Sequence, residues 1–494
     1  MPWPLSPPRR RNVLSVKRLH GRIEYKWLVA ICFVTGLFME ILDTTIINTA
    51  IPSLTEEFDA SPAGIEWVIL GYLLALAVFI PASGWIGDRF GTKKTFLFAL
   101  TMFTGASVLC GFAQSLEQLI GFRLLQGVGG GMLTPIGTAM LYRAFPPEER
   151  ARASAVLIVP TVIAPALGPL VGGFIVTHFS WRWIFYVNIP VGIFGILFAA
   201  TFLKEHCEMR SARFDGTGFV LSGAGLAGLL YALSYAPTHG WLSGTVLVTG
   251  LGGLVLLALM VKVETTVAEP MLALRLYRDR IFRNGNIAGT LSYGSFIGFI
   301  FLLPQFIQGP LDASAFESGL ATFPQAIGVI AMSQFVGRWY HTVGPRRLVT
   351  FGMLMAALAT LPFALLDQNT SLGIVALLMF LRGCFMAFCF MPIQTATYAN
   401  IDAPDTGRAA AIFSTQRQTS AALGVAVLAT VFVSRTNHGL RAGREPAEAL
   451  SSGYHWGFVA ASIIYVLGAL WSWTRIKNSD AVRTMQPRPK EQRA

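Results

Sequence analysis

Two acids, Glu40 and Asp43, stand three residues apart in the apolar stretch GLFMEILDTTIINTAIPSL, residues 36–54. A charged group deep in a bilayer costs at least ~2.5–3.5 kcal/mol by insertion scales, so carboxylates kept in such a stretch mark a working site. At 100° per residue the two lie about 60° apart on a helix and share one face. Thr44 and Asn48 fall on the same side, which gives a polar stripe on a helix of lipid-spanning length. Such a stripe is expected to face a water-filled cavity. Neighbouring carboxylates in low dielectric do not both ionise easily and titrate as a pair. That chemistry suits the exchange of a proton for a cation. The plainer alternative is that Asp43 ties its helix to a neighbour.

Other residue types that could do chemistry are few. Arg123, in GFRLLQG, and Arg382, in MFLRGCF, lie inside apolar stretches, as does Arg417. A guanidinium stays charged and forks to carboxylates, so each is a candidate counter-ion or a binder of anionic substrate. Gln126 lies one helical step from Arg123 and could extend a polar network. Asn48, Arg382 and Arg417 are candidate cavity residues. None of the seven histidines stands in H-E-x-x-H, and no G-x-S-x-G occurs. The spacing in GDRFGTKKT does not fit G-x-x-x-x-G-K-[ST]. The five cysteines have neither zinc spacing nor a disulfide framework. The sequence therefore points to no enzyme, no cofactor and no metal.

The elements that must position these residues are membrane spans. Of 494 residues 53% are hydrophobic and 13% charged, about half the charged share of a soluble domain. Apolar runs of about 20 residues, the length a spanning helix needs, recur throughout, and no period-two alternation suggests a barrel. Fourteen spans are expected: 27–51, 65–87, 95–113, 117–142, 152–177, 183–203, 216–236, 244–262, 286–308, 316–337, 348–366, 371–397, 409–433 and 455–474. An even count puts both termini on one side. Lys and Arg cluster on that side, in the basic tail before residue 27 and in the turns around Arg89, Arg143, Arg150, Arg213, Arg280, Arg346 and Arg408. The asymmetry makes that side cytoplasmic, and the net charge of +12 is then a topology signal rather than a nucleic-acid signal. The loop 434–454 is the one long basic segment expected outside. Ten of the eleven tryptophans fall near span ends, which makes them an interfacial belt rather than a cofactor box.

The chain also repeats itself. GWIGDRFGTKK (Gly84–Lys94) and GRWYHTVGPRR (Gly337–Arg347) place two glycines and two basic residues at the same offsets. An intramembrane arginine follows each start by some 40 residues, Arg123 and Arg382. Paired halves are how many secondary transporters are built. LDTTIINTAIP, GWIGDRFGTKK, RLLQGVGGG, APALGPLVGG and WRWIFYVNIPVG together resemble the signatures of the major facilitator superfamily, and within it the fourteen-span drug–proton antiporters of the EmrB/QacA type. Ala164 departs from the pattern, standing where a glycine is usual.

That resemblance implies an all-α fold of two pseudo-symmetric six-helix bundles with two extra central helices. The divisions are a basic tail 1–26, a bundle 27–203, a linker with two spans 204–285, a bundle 286–474 and a tail 475–494. It implies that Arg123 lies near Asp43, which would leave Glu40 the readier proton carrier. It also implies a gating turn in which Asp88 and Arg89, with Gly84, Gly91, Lys93 and Lys94, link the halves on the cytoplasmic face. Pro165, Gly168, Pro169, Gly172 and Gly173 would form the hinge and seal of an antiporter's fifth helix. The expected function is proton-coupled efflux of small amphipathic compounds by alternating access, in the plasma (inner) membrane. Its partners are a small-molecule substrate, protons and the lipid bilayer, with no nucleic acid; a periplasmic adaptor is left open. An exporter of one metabolite, lipid or siderophore, or a non-transporting receptor or scaffold, are the alternatives.

Overall fold

The computed structural model describes residues 24–60, 62–207, 214–267 and 270–485. The basic N-terminal tail up to residue 23 and residues 486–494 lie outside the described residues. Fourteen long helices carry the fold among the described residues. They are α1 (Tyr25–Ile46), α2 (Pro62–Phe90), α3 (Thr92–Gly111), α4 (Leu116–Ala144), α5 (Arg150–His178), α6 (Asn188–Phe202), α7 (Gly216–His239), α8 (Gly244–Thr266), α9 (Arg280–Gln308), α10 (Pro324–Val343), α11 (Pro345–Thr360), α12 (Leu372–Thr397), α13 (Thr406–Arg441) and α14 (Pro446–Arg475).

Twelve helices among the described residues are long and apolar enough to cross a membrane. The fourteen-span expectation differs at α4 and α5. Each is 29 residues long, but α4 is diluted by Gly127, Gly129, Gly130, Gly131, Thr134 and Pro135. The physical reason is burial. Its half from Gln126 to Tyr142 is covered by protein, and its glycines let backbones touch: a Cβ on Gly127 would lie 2.6 Å from the Tyr72 carbonyl of α2. A helical segment covered by protein has no need of an apolar surface. For α5 the described apolar run is the shorter Ile163–His178.

The packing reveals the repeat. In the first bundle α1 packs on α4, α5 and α6, α2 packs on α4, and α3 packs on α4 and α6. In the second, α9 packs on α12, α13 and α14, α10 on α12, and α11 on α12 and α14. Adding eight to each helix number turns one pattern into the other. The bundles meet along two seams, α2–α13 and α5–α10, which the same rule exchanges. The hairpin α7–α8 breaks the symmetry. Helix α7 lies over the first seam and touches both α2 and α13, while α8 packs mainly on α7 and is the least buried of the apolar helices.

The repeated loops agree in detail. Gly91 and Gly344 open α3 and α11 with φ of +98° and +81°, which glycine alone adopts without strain. Each helix start is capped by a residue that follows the last helix of its own bundle. The Glu205 carboxylate accepts from the Lys93 and Lys94 amides at 3.0 and 3.2 Å, and Asn478 Oδ1 accepts from the Arg346 amide at 3.1 Å. The expected loop 434–454 is mostly helix, because α13 and α14 extend through it and turn only between Arg441 and Pro446. No proline interrupts before Pro446, whose ring suits a first helical turn.

Candidate functional site

Asp43 lies near the end of α1, 1% exposed, and is met by side chains of two other helices, α4 and α6. Arg123 of α4 donates through Nη1 to Asp43 Oδ2 at 2.5 Å. Gln126 Nε2 and Asn188 Nδ2 each donate to Oδ1 at 2.9 Å. Arg123 also donates to Gln126 Oε1 (2.7 Å) and to the Val68 carbonyl (3.1 Å) and lies 4.2 Å above the Tyr72 ring. Asn188 reaches Ser107 Oγ, whose hydroxyl donates to the Phe185 carbonyl. The guanidinium is fully buried. Charge in such a place is tolerable only where Coulomb attraction and several hydrogen bonds act together, and this cluster supplies both. Tyr72 Oη and Arg123 Nη2 are buried without a hydrogen-bond partner among the described residues.

Glu40, one helical step away, is held differently. It is 7% exposed, accepts a hydrogen bond from Thr134 Oγ1 at 2.6 Å, and makes no ion pair among the described residues. Thr134 in turn lines a small central cavity of about 60 Å³. Its walls come from α1, α4 and α5, with Leu37, Thr134 and Thr161, and from α9, α12 and α13, with Tyr293, Gln394 and Arg417. These are the equivalent helices of the two bundles, so the cavity sits between the repeats. It is too small for a ligand site of roughly 300–1,000 Å³.

The expected cavity residues separate. Arg417 lines the cavity and lies 5.6 Å from the Tyr293 ring. Asn48 is exposed just beyond the end of α1 and is not in the cavity wall. Arg382 is buried away from it, although it holds the place in α12 that Arg123 holds in α4. It donates to Thr360 Oγ1 (3.0 Å) and Gln325 Oε1 (2.7 Å) and rests 3.8 Å above the Phe299 ring. It has no carboxylate partner among the described residues. Phe296, Phe299, Met386 and Met391 pack in the second bundle's core rather than line the cavity.

At the Gly84–Lys94 end the bundles are tied. Asp88, 1% exposed, accepts from Arg143 Nη2 at 3.0 Å and lies against Gly407 at the start of α13. A carboxylate there is favoured by the positive end of the helix dipole. Arg143 Nε continues to the Ala403 carbonyl of the other bundle. Arg150 donates to the carbonyls of Tyr398, Ala399 and Ile401. Ser154 Oγ accepts from Thr395 Oγ1 at 2.9 Å, and the Tyr142 and Tyr398 rings stack at 4.3 Å. Gly84 permits the contact, since a Cβ there would lie 2.9 Å from the Gly407 carbonyl. Arg89 is half-buried, and Arg143 is a cation paired with Asp88. Lys93 Nζ turns back to the Ala200 carbonyl, and Cys207 donates to the carbonyls of Asp88 and Arg89.

Helix α5 runs unbroken past Pro165. Gly168 and Gly172 lie against Thr45 and Thr49 of the first helical segment, where any side chain would collide, whereas Gly173 faces open space. The Pro169 side chain lies outside the described residues. Sequence reasoning missed Thr134, Ser107, Asn188, Arg143 and Arg150. Asn188 was detectable as an amide inside the apolar run VNIPVG. Arg143 and Arg150 were hidden among residues that read as topology signals.

The sequence profile of the Major Facilitator Superfamily matches residues 33–425 and 285–493. The chain is 32% identical over 406 residues to the uncharacterized MFS-type transporter YhcA of Bacillus subtilis (strain 168), covering 82% of this chain and 76% of that one. It is 32% identical over 413 residues to the multidrug resistance protein B homolog of Mycobacterium tuberculosis (strain ATCC 25618 / H37Rv), covering 83% and 76%. The crystal structure of the human organic anion transporter MFSD10 (TETRAN) shares the fold with a TM-score of 0.65 at 16% identity, covering 90% of this chain and 99% of that one. The all-helical bundle pair and these relatives make the chain a multi-pass membrane transporter of small molecules rather than an enzyme. It belongs to the Major Facilitator Superfamily.

Proposed function

We propose that the protein is a proton-coupled antiporter that exports small amphipathic compounds, drugs or other toxic molecules, by alternating access. The observation that carries this reading is the Glu40–Thr134 hydrogen bond at the edge of a cavity walled by both bundles. It sets a carboxylate with no salt-bridge partner among the described residues where a proton and a substrate can compete. Asp43 remains the fixed anion of Arg123, and Gln126 steadies the pair. A proton entering from outside neutralises Glu40, and substrate arriving from inside displaces it. The bundles, 27–203 and 286–474 with 204–285 between them, rock about the cavity so that it opens to one side at a time. The gradient biases that motion only because the two states differ in affinity. A 60 Å³ cavity cannot hold a drug, so the bundles must part to admit one.

In this reading all fourteen helices cross the plasma (inner) membrane and both termini are cytoplasmic. The tied Gly84–Lys94 end is then the cytoplasmic gate, which stands closed. Gly168 and Gly172 let α5 slide closely on the first helical segment. Names of relatives that include multidrug resistance favour a drug-like cargo. The test is dye efflux from energised cells, with and without an uncoupler, for the wild type and Glu40→Gln. Efflux should fall to background with the uncoupler and in Glu40→Gln. Export unchanged after the proton gradient collapses would overturn the mechanism.

A further inference from the structure

A second cavity, about 420 Å³, lies at the tied end but away from the central site. Its size falls within the roughly 300–1,000 Å³ of small-molecule sites. It forms where the start of α9, the turn after α12 and the chain beyond α14 converge, and three guanidinium groups line it: Arg278, Arg280 and Arg483. Two acids, Asp279 and Asp480, share the lining and hydrogen-bond neutral groups, so the wall carries three positive and two negative side chains. Asp279 caps α9 through Oδ1, which accepts from the Phe282 amide at 2.8 Å, and its Oδ2 accepts from Asn400 Nδ2 at 3.0 Å. Asp480 Oδ1 accepts from Ser479 Oγ at 3.2 Å. Arg483 has an exposed pairing with Asp402 at 3.1 Å, of the screened kind that contributes little. Arg278 and Arg280 make no ion pair and no side-chain hydrogen bond among the described residues.

The wall keeps a surplus positive charge, and Arg278 and Arg280 have no carboxylate within ion-pair distance among the described residues, so an anion is favoured there. Guanidinium groups match phosphate oxygens with paired, planar donors. We propose that this cavity binds a phosphate group, held by Arg278, Arg280 and Arg483. A phospholipid headgroup and a soluble phosphate compound both present that chemistry. The level of the cavity suits the first source, because α14 ends beside it with Trp471 and Trp473, and Arg346 stacks 4.2 Å above the Trp473 ring. Basic pockets between spans at the membrane surface take anionic headgroups.

The site also touches the joint between the bundles. The short helix Val482–Met485, which carries Arg483, packs on Pro147–Glu149 of the first bundle, and Thr484 hydrogen-bonds Tyr340 at 2.9 Å. A bound phosphate should therefore hold that segment in place.

The experiment uses the full chain and reads its melting midpoint. One series compares phosphatidylcholine nanodiscs with and without phosphatidylglycerol. Another titrates inorganic phosphate against chloride at fixed ionic strength in uncharged detergent. Arg278→Gln/Arg280→Gln is compared with Arg441→Gln/Arg444→Gln, which makes the same charge change on the turn between α13 and α14. A midpoint raised by phosphatidylglycerol and lost only in the first variant supports the site with a lipid ligand. A phosphate-dependent rise whose half-point shifts roughly tenfold only in the first variant supports a soluble ligand. No rise in either series, or an equal loss in both variants, overturns the proposal.

Discussion

Replacing Asp43 with Asn tests the buried pair at the heart of the first bundle. The side chain keeps its shape but loses its charge, and its new NH2 or its lone oxygen must face Arg123, Gln126 and Asn188, which now all donate toward it. Arg123 is fully buried and its only carboxylate among the described residues is gone. Breaking a buried pair from one side costs about 3–5 kcal/mol, since the remaining charge stays desolvated. Arg123→Gln should cost a similar amount by stranding Asp43. The double variant removes both charges and leaves four amide and hydroxyl groups that can bond one another. It should therefore recover about 2–3 kcal/mol relative to the sum of the single changes. Chemical denaturation in detergent micelles, run as a double-mutant cycle, measures this directly. Additive losses, or single variants within about 0.5 kcal/mol of wild type, would refute the claim that the two charges sustain each other.

Further outcomes follow from the same geometry. Thr134→Val removes the one hydrogen-bond donor to Glu40 among the described residues; a hydrogen bond to a charged group is worth about 1.5–3 kcal/mol, so the coupled efflux rate should fall by roughly tenfold or more, with protein yield unchanged. Ser154→Cys/Thr395→Cys places two thiols where hydroxyls lie 2.9 Å apart across the bundles; oxidation should stop transport and reductant restore it, and transport indifferent to oxidation would show that this end need not open. Gly84→Leu cannot fit against the Gly407 carbonyl, so that same cross-link should form far more slowly and efflux should fall. Asp88→Asn loses the ionic contact with Arg143 while keeping its shape, and should raise the reactivity of a Ser154→Cys thiol toward a water-soluble reagent.

Much of the architecture was legible because lipid imposes a blunt rule on surfaces. Runs such as 244–262 announced α8, which presents most of its side chains outward. The rule faded where a helical segment is covered by protein, and the buried half of α4 escaped it through its glycines. The pairing of Asp43 with Arg123 came from family likeness, for no spacing relates residues 80 apart. Glu40 and Asp43 could be placed on one face by helix periodicity, yet the partners that distinguish them could not. Thr134 and Asn188 arrive from other helices, and their contacts exist only after the bundle forms. Arg143 and Arg150 were counted correctly as positive charge, but the carbonyls that receive them belong to the far bundle. Periodicity sees one helix at a time; the gate is made from the ends of several.

The hairpin α7–α8 has a mechanical effect on any motion of the bundles. It is laid across one parting line, with a shoulder on α2 and another on α13, while no helix pair straddles the α5–α10 line among the described residues. Whatever separates α2 from α13 must peel the brace from one of them or carry it along. The unbraced flank has no such drag, so a molecule slipping sideways from the acyl chains would meet less resistance there, and the two doors of an otherwise twinned body are not equivalent.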